Sequence, residues 1–189
     1  MREILKMSGI LTLITLTAAG ALANIYLITR DRIALVEATR EEEARKAALP
    51  EAVFFKRDST SDGFIYYRGY ADSTAGAEPV GFITLALGKG YSSKIRTVVG
   101  VDAKMNITGI KIAFQQETPG LGTRIEEVKS GQSAPWFQAQ FKGKTIDYLE
   151  VVRTPDPERI EAITGATISS KAVSGSVRES IIKLRTVLQ

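Results

Sequence analysis

The chain has 189 residues, 25 Lys and Arg against 21 Asp and Glu, 44% hydrophobic residues, and neither cysteine nor histidine. That composition excludes Cys/His zinc sites, cysteine-held iron–sulfur clusters, histidine-ligated haem, a Ser-His-Asp triad and disulfides, so any redox work falls to a cofactor that needs no such ligands. The net charge of +4 is small and evenly spread, with no basic run interleaved with aromatics, which sets nucleic acid aside.

No charged residue stands between Lys6 and Arg30. At about 1.5 Å per residue, the apolar run from Met7 to Thr29 reaches roughly 34 Å, enough to cross a hydrocarbon core of about 30 Å. Its Thr and Ser hydroxyls can bond back to the helix backbone. A cleaved secretory signal is the rival reading, with Arg2 and Lys6 as its basic start, Gly9 to Leu16 as its apolar core and Ala21-Leu22-Ala23 as its cut. Because the run continues through Ile25, Tyr26, Leu27 and Ile28, past that cut, a retained anchor is expected. Gly9, Ala18, Ala19, Gly20, Ala21 and Ala23 give it small surfaces, suited equally to partner helices and to lipid. The balance of Arg2 and Lys6 against Arg30, Arg32, Arg40, Arg45 and Lys46 by itself favours a cytoplasmic C-terminal domain. The organisation read from the chain is a short tail over 1–6, a transmembrane helix over 7–29, a charged juxtamembrane helix and linker over 30–49, and a folded domain over 50–189. The charges from Arg30 to Ala48 read as a solvated helix face, with a coiled stalk or a partner-docking helix as the alternative, ending before Pro50.

After Pro50 the pattern becomes extended. Val53 to Phe55, Phe64 to Tyr70, Gly81 to Leu87, Ile95 to Val101 and Ile107 to Phe114 are rich in β-branched and aromatic residues. Short turns between them predict an antiparallel sheet with helices packed elsewhere, an α+β fold. A short helix is a candidate over Ile125 to Val128. From about Ser170, Val173, Val177, Ile181, Leu184 and Leu188 recur every three or four residues, an amphipathic helix. Trp136 could stack on a flat ligand, but beside Phe137 it reads as core.

Two segments ask for more than structure. Glu117-Thr118-Pro119-Gly120-Leu121-Gly122 reads as a Pro-Gly turn, or as glycines that let main chain approach a flat ligand. Thr164-Gly165-Ala166-Thr167-Ile168-Ser169-Ser170 precedes the last helix. It reads as a side-chain cap, or as a site where a phosphate meets unpaired amides and the positive end of the helix dipole. Lys171, one turn on, is either a neutralising cation or a solvent-facing lysine.

In the order of these features, from anchor to ETPGLG to AITGATISSKAV, the chain resembles the FMN-binding G subunits of Rnf complexes, the ion-translocating ferredoxin:NAD oxidoreductases. The C subunit of the sodium-pumping NADH:quinone reductase is a related protein. The resemblance implies FMN joined by a phosphoester to Thr167 and installed from FAD by a flavin transferase. Glu161, Thr164, Gly165 and Ala166 would serve as recognition residues, Glu161 standing where the family usually has Asp. It also implies that Glu117, Thr118, Gly120, Leu121 and Gly122 lie against the flavin, with Ser169 and Lys171 near its phosphate. Many relatives carry His just upstream, where this chain has Gln115-Gln116, so no histidine assistance is implied. The expected protein is an electron carrier without turnover of its own. Its partners would be other subunits of a membrane redox complex, the flavin transferase and membrane lipid. It would sit in the cytoplasmic (inner) membrane with its FMN domain outside the cytoplasm, against the charge count. Two alternatives stay open: a flavinylated subunit of another membrane electron-transfer chain, and a cofactor-free tethered binding module.

Overall fold

The computed structural model describes residues 1–72 and 78–189. It divides into two units, residues 1–40 and 41–189. Helix α1 (Arg2–Ala48) starts in the first unit and ends in the second.

In the first unit the apolar stretch is helical throughout. It holds an 18-residue window of mean hydropathy 1.8 with none of that window buried, so by length and composition the helix can cross a membrane. Its polar side chains turn back on the helix as expected. Thr17 and Thr29 each donate to the carbonyl four residues earlier at 2.8 Å, and the Asn24 amide does the same to Gly20 at 2.8 Å. These bonds keep polar atoms paired where no water is at hand.

The second unit is built on a five-stranded sheet in sequential order. Its strands are β1 (Phe54–Ser59), β2 (Ile65–Tyr70), β3 (Gly81–Lys89), β4 (Lys94–Asp102) and β5 (Ile107–Phe114). All four pairings are antiparallel, as the turn-separated runs predict. Alternation along β3 and β4 supplies two apolar faces. Ala86 and Val99 meet helix α3 (Thr167–Leu188) at Val173, Val177, Ile181 and Leu184, while Ile83 and Val98 belong to a second cluster with Ala44, Ala48, Leu49 and Ala52. The helix thus buries the stripe its spacing announced, starting at Thr167 rather than at Ser170, with Leu188 only partly covered.

The second cluster departs from the sequence reading. Residues 41–49 do not form a purely solvated face, because Ala48 and Leu49 are fully buried against the sheet. Gly100 leaves the room, since a Cβ there would overlap the Ala48 carbonyl, and the Thr108 hydroxyl donates to that carbonyl at 2.6 Å. Two charges of this segment also reach the sheet, Glu41 to Arg96 at 3.2 Å and Arg45 over the Tyr67 ring at 4.8 Å. Burying Leu49, Ile83 and Val98 is worth about 1.5–3 kcal/mol apiece, so apolar contact is the main hold on this segment.

Between β5 and α3 the chain is mostly irregular. A 3₁₀ turn covers Gly122–Glu126, followed by α2 (Trp136–Ala139), a second 3₁₀ turn (Ile146–Tyr148), and the two-residue strands β6 (Val151–Val152) and β7 (Ile160–Glu161), which pair in parallel. The helix expected over 125–128 is this first 3₁₀ turn, which stops because Glu127 is extended at φ −69°, ψ 123°. Trp136 is core as expected, 9% exposed and edge-on to Phe137.

Candidate functional site

The two segments singled out in the sequence meet at the start of α3, and a single carboxylate joins them. Beyond β5 the chain turns Glu117 inward until it is 4% exposed. Its Oε2 accepts from the Tyr91 amide at 2.9 Å and from the Ser169 hydroxyl at 2.6 Å. Its Oε1 accepts from the Ser92 amide at 3.0 Å, the Ser93 amide at 2.9 Å and the Ser93 hydroxyl at 3.1 Å. Burial pushes the carboxyl's pKa up, but the Ser169 hydroxyl and the amides of Tyr91, Ser93 and Ser92 more than offset it and hold it below the ordinary glutamate range. Glu117 is therefore an anion at neutral pH. Its bonds tie three separate pieces of chain: the β3–β4 turn, the ETPGLG loop and the first turn of α3.

This gives ETPGLG a reason other than the one read from sequence. A Cβ at Gly90 would stand 2.5 Å from Glu117 Oε1, and one at Gly122 would stand 2.8 Å from Oε2 and 2.8 Å from Ser169 Oγ. Gly122 is small enough to admit the carboxylate and its serine, and it also lines the cleft described below. Glu117 and Ser169 still line the cleft described below, although their polar atoms are spent on each other.

The second segment is folded by Ser170, whose hydroxyl accepts from the Ile163 amide at 3.0 Å and donates to the Ala166 carbonyl at 3.0 Å. Gly165 takes φ 81°, which L side chains avoid, and a Cβ there would also press on Leu121 Cδ2 at 3.1 Å. The residue capping α3 is Ala166, with no side-chain cap bond. The reading of this motif as a Thr or Ser cap is therefore not what the fold uses. First-turn amides of a 22-residue helix are left without a side-chain partner, at the end where the dipole is positive.

Together the segments enclose a cleft of about 590 Å³, lined by Tyr91, Glu117, Thr118, Leu121, Gly122 and the run from Gly165 to Ser169. Thr167 is half-buried on its wall and also lines a second cavity of about 260 Å³ with Arg153, Thr164 and Gly165. Of the residues named from sequence, Thr118, Leu121, Gly122, Gly165, Ala166, Thr167, Ser169 and Glu117 are brought to the main cleft. Gly120 is exposed at φ 74° and serves the turn. Thr164 lines only the smaller cavity. Lys171 is exposed and lines neither, and Glu161 lines a separate cleft of about 440 Å³ with Trp136, Lys142 and Arg159. Sequence reasoning missed Tyr91, Ile168 and two of the serines that hold Glu117, Ser92 and Ser93. Gly90-Tyr91-Ser92-Ser93 carries the signature of a turn, and nothing local marks it as the wall of a site.

Residues 90–182 match the model of the FMN-binding domain family, a span that takes in every residue of the main cleft. The G subunit of the ion-translocating oxidoreductase complex of Methanosarcina acetivorans is 31% identical over 188 residues, covering 95% of this chain and 94% of that protein. The G subunit of the Na(+)-translocating ferredoxin:NAD(+) oxidoreductase complex of Acetobacterium woodii is 30% identical, covering 95% and 91%. Among solved structures, the C subunit of the Na(+)-translocating NADH-quinone reductase of Parabacteroides distasonis is 27% identical, with a TM-score of 0.48 over 62% of this chain and 59% of that one.

Proposed function

The chain belongs to the family formed by the G subunits of ion-translocating oxidoreductase complexes, and from that premise we propose that it carries FMN on Thr167 and passes electrons within a membrane-bound ferredoxin:NAD oxidoreductase. The observation that carries this reading is the meeting of ETPGLG and TGAT around one cleft with Thr167 on its wall. Its volume of about 590 Å³ falls within the range of about 300–1,000 Å³ usual for cofactor sites. Leu121, Ala166 and Ile168 offer apolar surface to a flat ring, and the uncapped start of α3 offers amides to a phosphoryl group.

FMN bound there supplies the electron chemistry. The protein's part is position and charge. The Thr167 hydroxyl is the attachment point, through a phosphoester made from FAD by a flavin transferase. Glu161, Thr164, Gly165 and Ala166 are the residues that enzyme would recognise, and Thr164 and Gly165 are exposed to it. Glu117 holds the walls in register. Lys171 is too solvated to be given a role at the phosphate. The apolar stretch of α1 anchors the chain in the cytoplasmic membrane, among lipid and the other subunits, with the flavin domain outside the cytoplasm. Protease added to right-side-out vesicles should then remove the domain, and its survival there with loss in inverted vesicles would reverse the orientation.

The decisive test of attachment is a denaturing gel of the full chain co-expressed with a flavin transferase. A covalent flavin survives boiling in detergent, so the wild-type band should fluoresce and weigh more by one FMN residue, FMN less a water, by intact mass. The Thr167→Ala band should be dark, and equal fluorescence from that variant would remove Thr167 as the attachment point.

A further inference from the structure

We propose that Tyr91 supplies the aromatic face against which the flavin ring packs; the inference rests on the attachment reading above and adds a residue to it. Three side chains on the cleft wall are left largely in water, Tyr91 at 73%, Ile168 at 54% and Leu121 at 46% exposed. Apolar groups converging on one concavity are what a flat, largely apolar ligand requires. Of the three, Tyr91 alone presents a π face, and offset stacking is the favoured geometry between such faces. Among the described residues its ring packs on no other ring.

The backbone beneath this side chain is unusually well held for an exposed turn. The Gly90 amide donates to the Ser93 carbonyl at 2.8 Å, the Tyr91 amide donates to Glu117 at 2.9 Å, and the Ser92 and Thr118 hydroxyls pair at 3.1 Å. A solvent-exposed tyrosine with no partner needs no such support. Here the carboxylate that fixes Tyr91 also fixes Ser169, two residues beyond the attachment point. The aromatic wall and the start of the last helix are thus set against each other by one oxygen, Glu117 Oε2.

The test uses fluorescence lifetime, which reports ring contact directly. A phenol in contact with an excited flavin passes it one electron and takes the electron back, so emission is lost with no net chemistry. A phenylalanine ring is too poor a donor to do this, whereas a tryptophan is a better one. The full-length protein, loaded by co-expressed flavin transferase and purified in detergent, should show a short lifetime in the wild type and in Tyr91→Trp. Tyr91→Phe and Tyr91→Ala should lengthen it severalfold. The absorption spectrum of Tyr91→Phe should stay near that of the wild type, while that of Tyr91→Ala should move towards free flavin. Each sample is first checked by intact mass. Equal lifetimes in wild type and Tyr91→Ala, both carrying the adduct, would overturn the role of Tyr91 and leave the attachment standing. Absence of the adduct from the wild type would overturn both.

Discussion

Replacing Glu117 with Gln changes one oxygen to an amide nitrogen and keeps the shape. The amide can present its oxygen to Ser92 and Ser93, but its nitrogen then faces the Tyr91 amide and the Ser169 hydroxyl, where Oε2 accepts both. A hydroxyl can turn round and accept. A backbone N–H cannot, so the Tyr91 bond is lost outright. The surviving bonds fall from charge-assisted to neutral strength, from about 1.5–3 to about 0.5–1.5 kcal/mol each; a neutral amide costs less to bury than a carboxylate, which offsets part of this and leaves a loss of about 2–4 kcal/mol. The assay is urea unfolding of the full chain in detergent, followed by the emission of the single, buried tryptophan, Trp136. The pH dependence supplies the sharper check. Because the folded carboxyl is held below the ordinary range, its contribution is fully present above the unfolded value of about 4.3 and is lost as pH falls through the folded value. Glutamine does not titrate there, so the gap between the two proteins should narrow as the pH drops from about 4.5 towards 3. A gap under about 1 kcal/mol at pH 7, or one that is unchanged in acid, would refute the account of Glu117 as a buried anion tying three segments.

Gly165→Ala should lower stability by about 1–2 kcal/mol, because it forces a side chain into the left-handed region and against Leu121; the flavin-labelled fraction on a denaturing gel should fall with it. Gly100→Ala places a methyl against the Ala48 carbonyl, a backbone atom that cannot swing aside, and should cost about 1–3 kcal/mol. Its signature is faster limited proteolysis between residues 49 and 53, where α1 leaves the sheet. Lys171→Ala should leave the labelled fraction unchanged on the same gel, and a clear drop would restore that lysine to the phosphate site.

The sheet and the last helix were legible because both are written in local periodicity. β-branched runs between turns become β1 to β5, and Val173, Val177, Ile181 and Leu184 become the buried stripe of α3. The buried end of α1 was not. Alanines among charges look solvated, and only the glycines of strands far along the chain make room for them. Glu117 was legible as part of a motif but not as an actor. Its partners lie 26 residues before it at Tyr91 and 52 after it at Ser169, separations that no local pattern spans. The same distance hides why Gly122 is a glycine. TGAT could be placed at a helix start, yet Thr and Ser are also ordinary caps, and only the cap at Ala166 without a side-chain bond sets the cap reading aside.

The attachment proposed above would alter what the protein must do at its site. When a ligand binds reversibly, contacts to it can help organise the pocket, but a phosphoester formed by a second enzyme requires a hydroxyl that is reachable beforehand and walls already in place. Thr167 meets the first condition, half-buried and flanked by exposed Gly165 and Ile168. Glu117 meets the second, since all five of its hydrogen bonds go to protein groups and none waits for a ligand. The proposed attachment would fix only the phosphate end of FMN; the ring would stay on a flexible chain, and its setting would depend on how firmly the far wall is held relative to the tether. Preorganisation of that kind limits the conformations left to the ring and the ordering cost of holding it for electron transfer. One carboxylate reaching both Ser169 and the Tyr91 turn is an economical way to set that distance. It also explains why an acid rather than an amide stands at the head of the loop, because only a carboxylate accepts at both oxygens from donors on opposite sides.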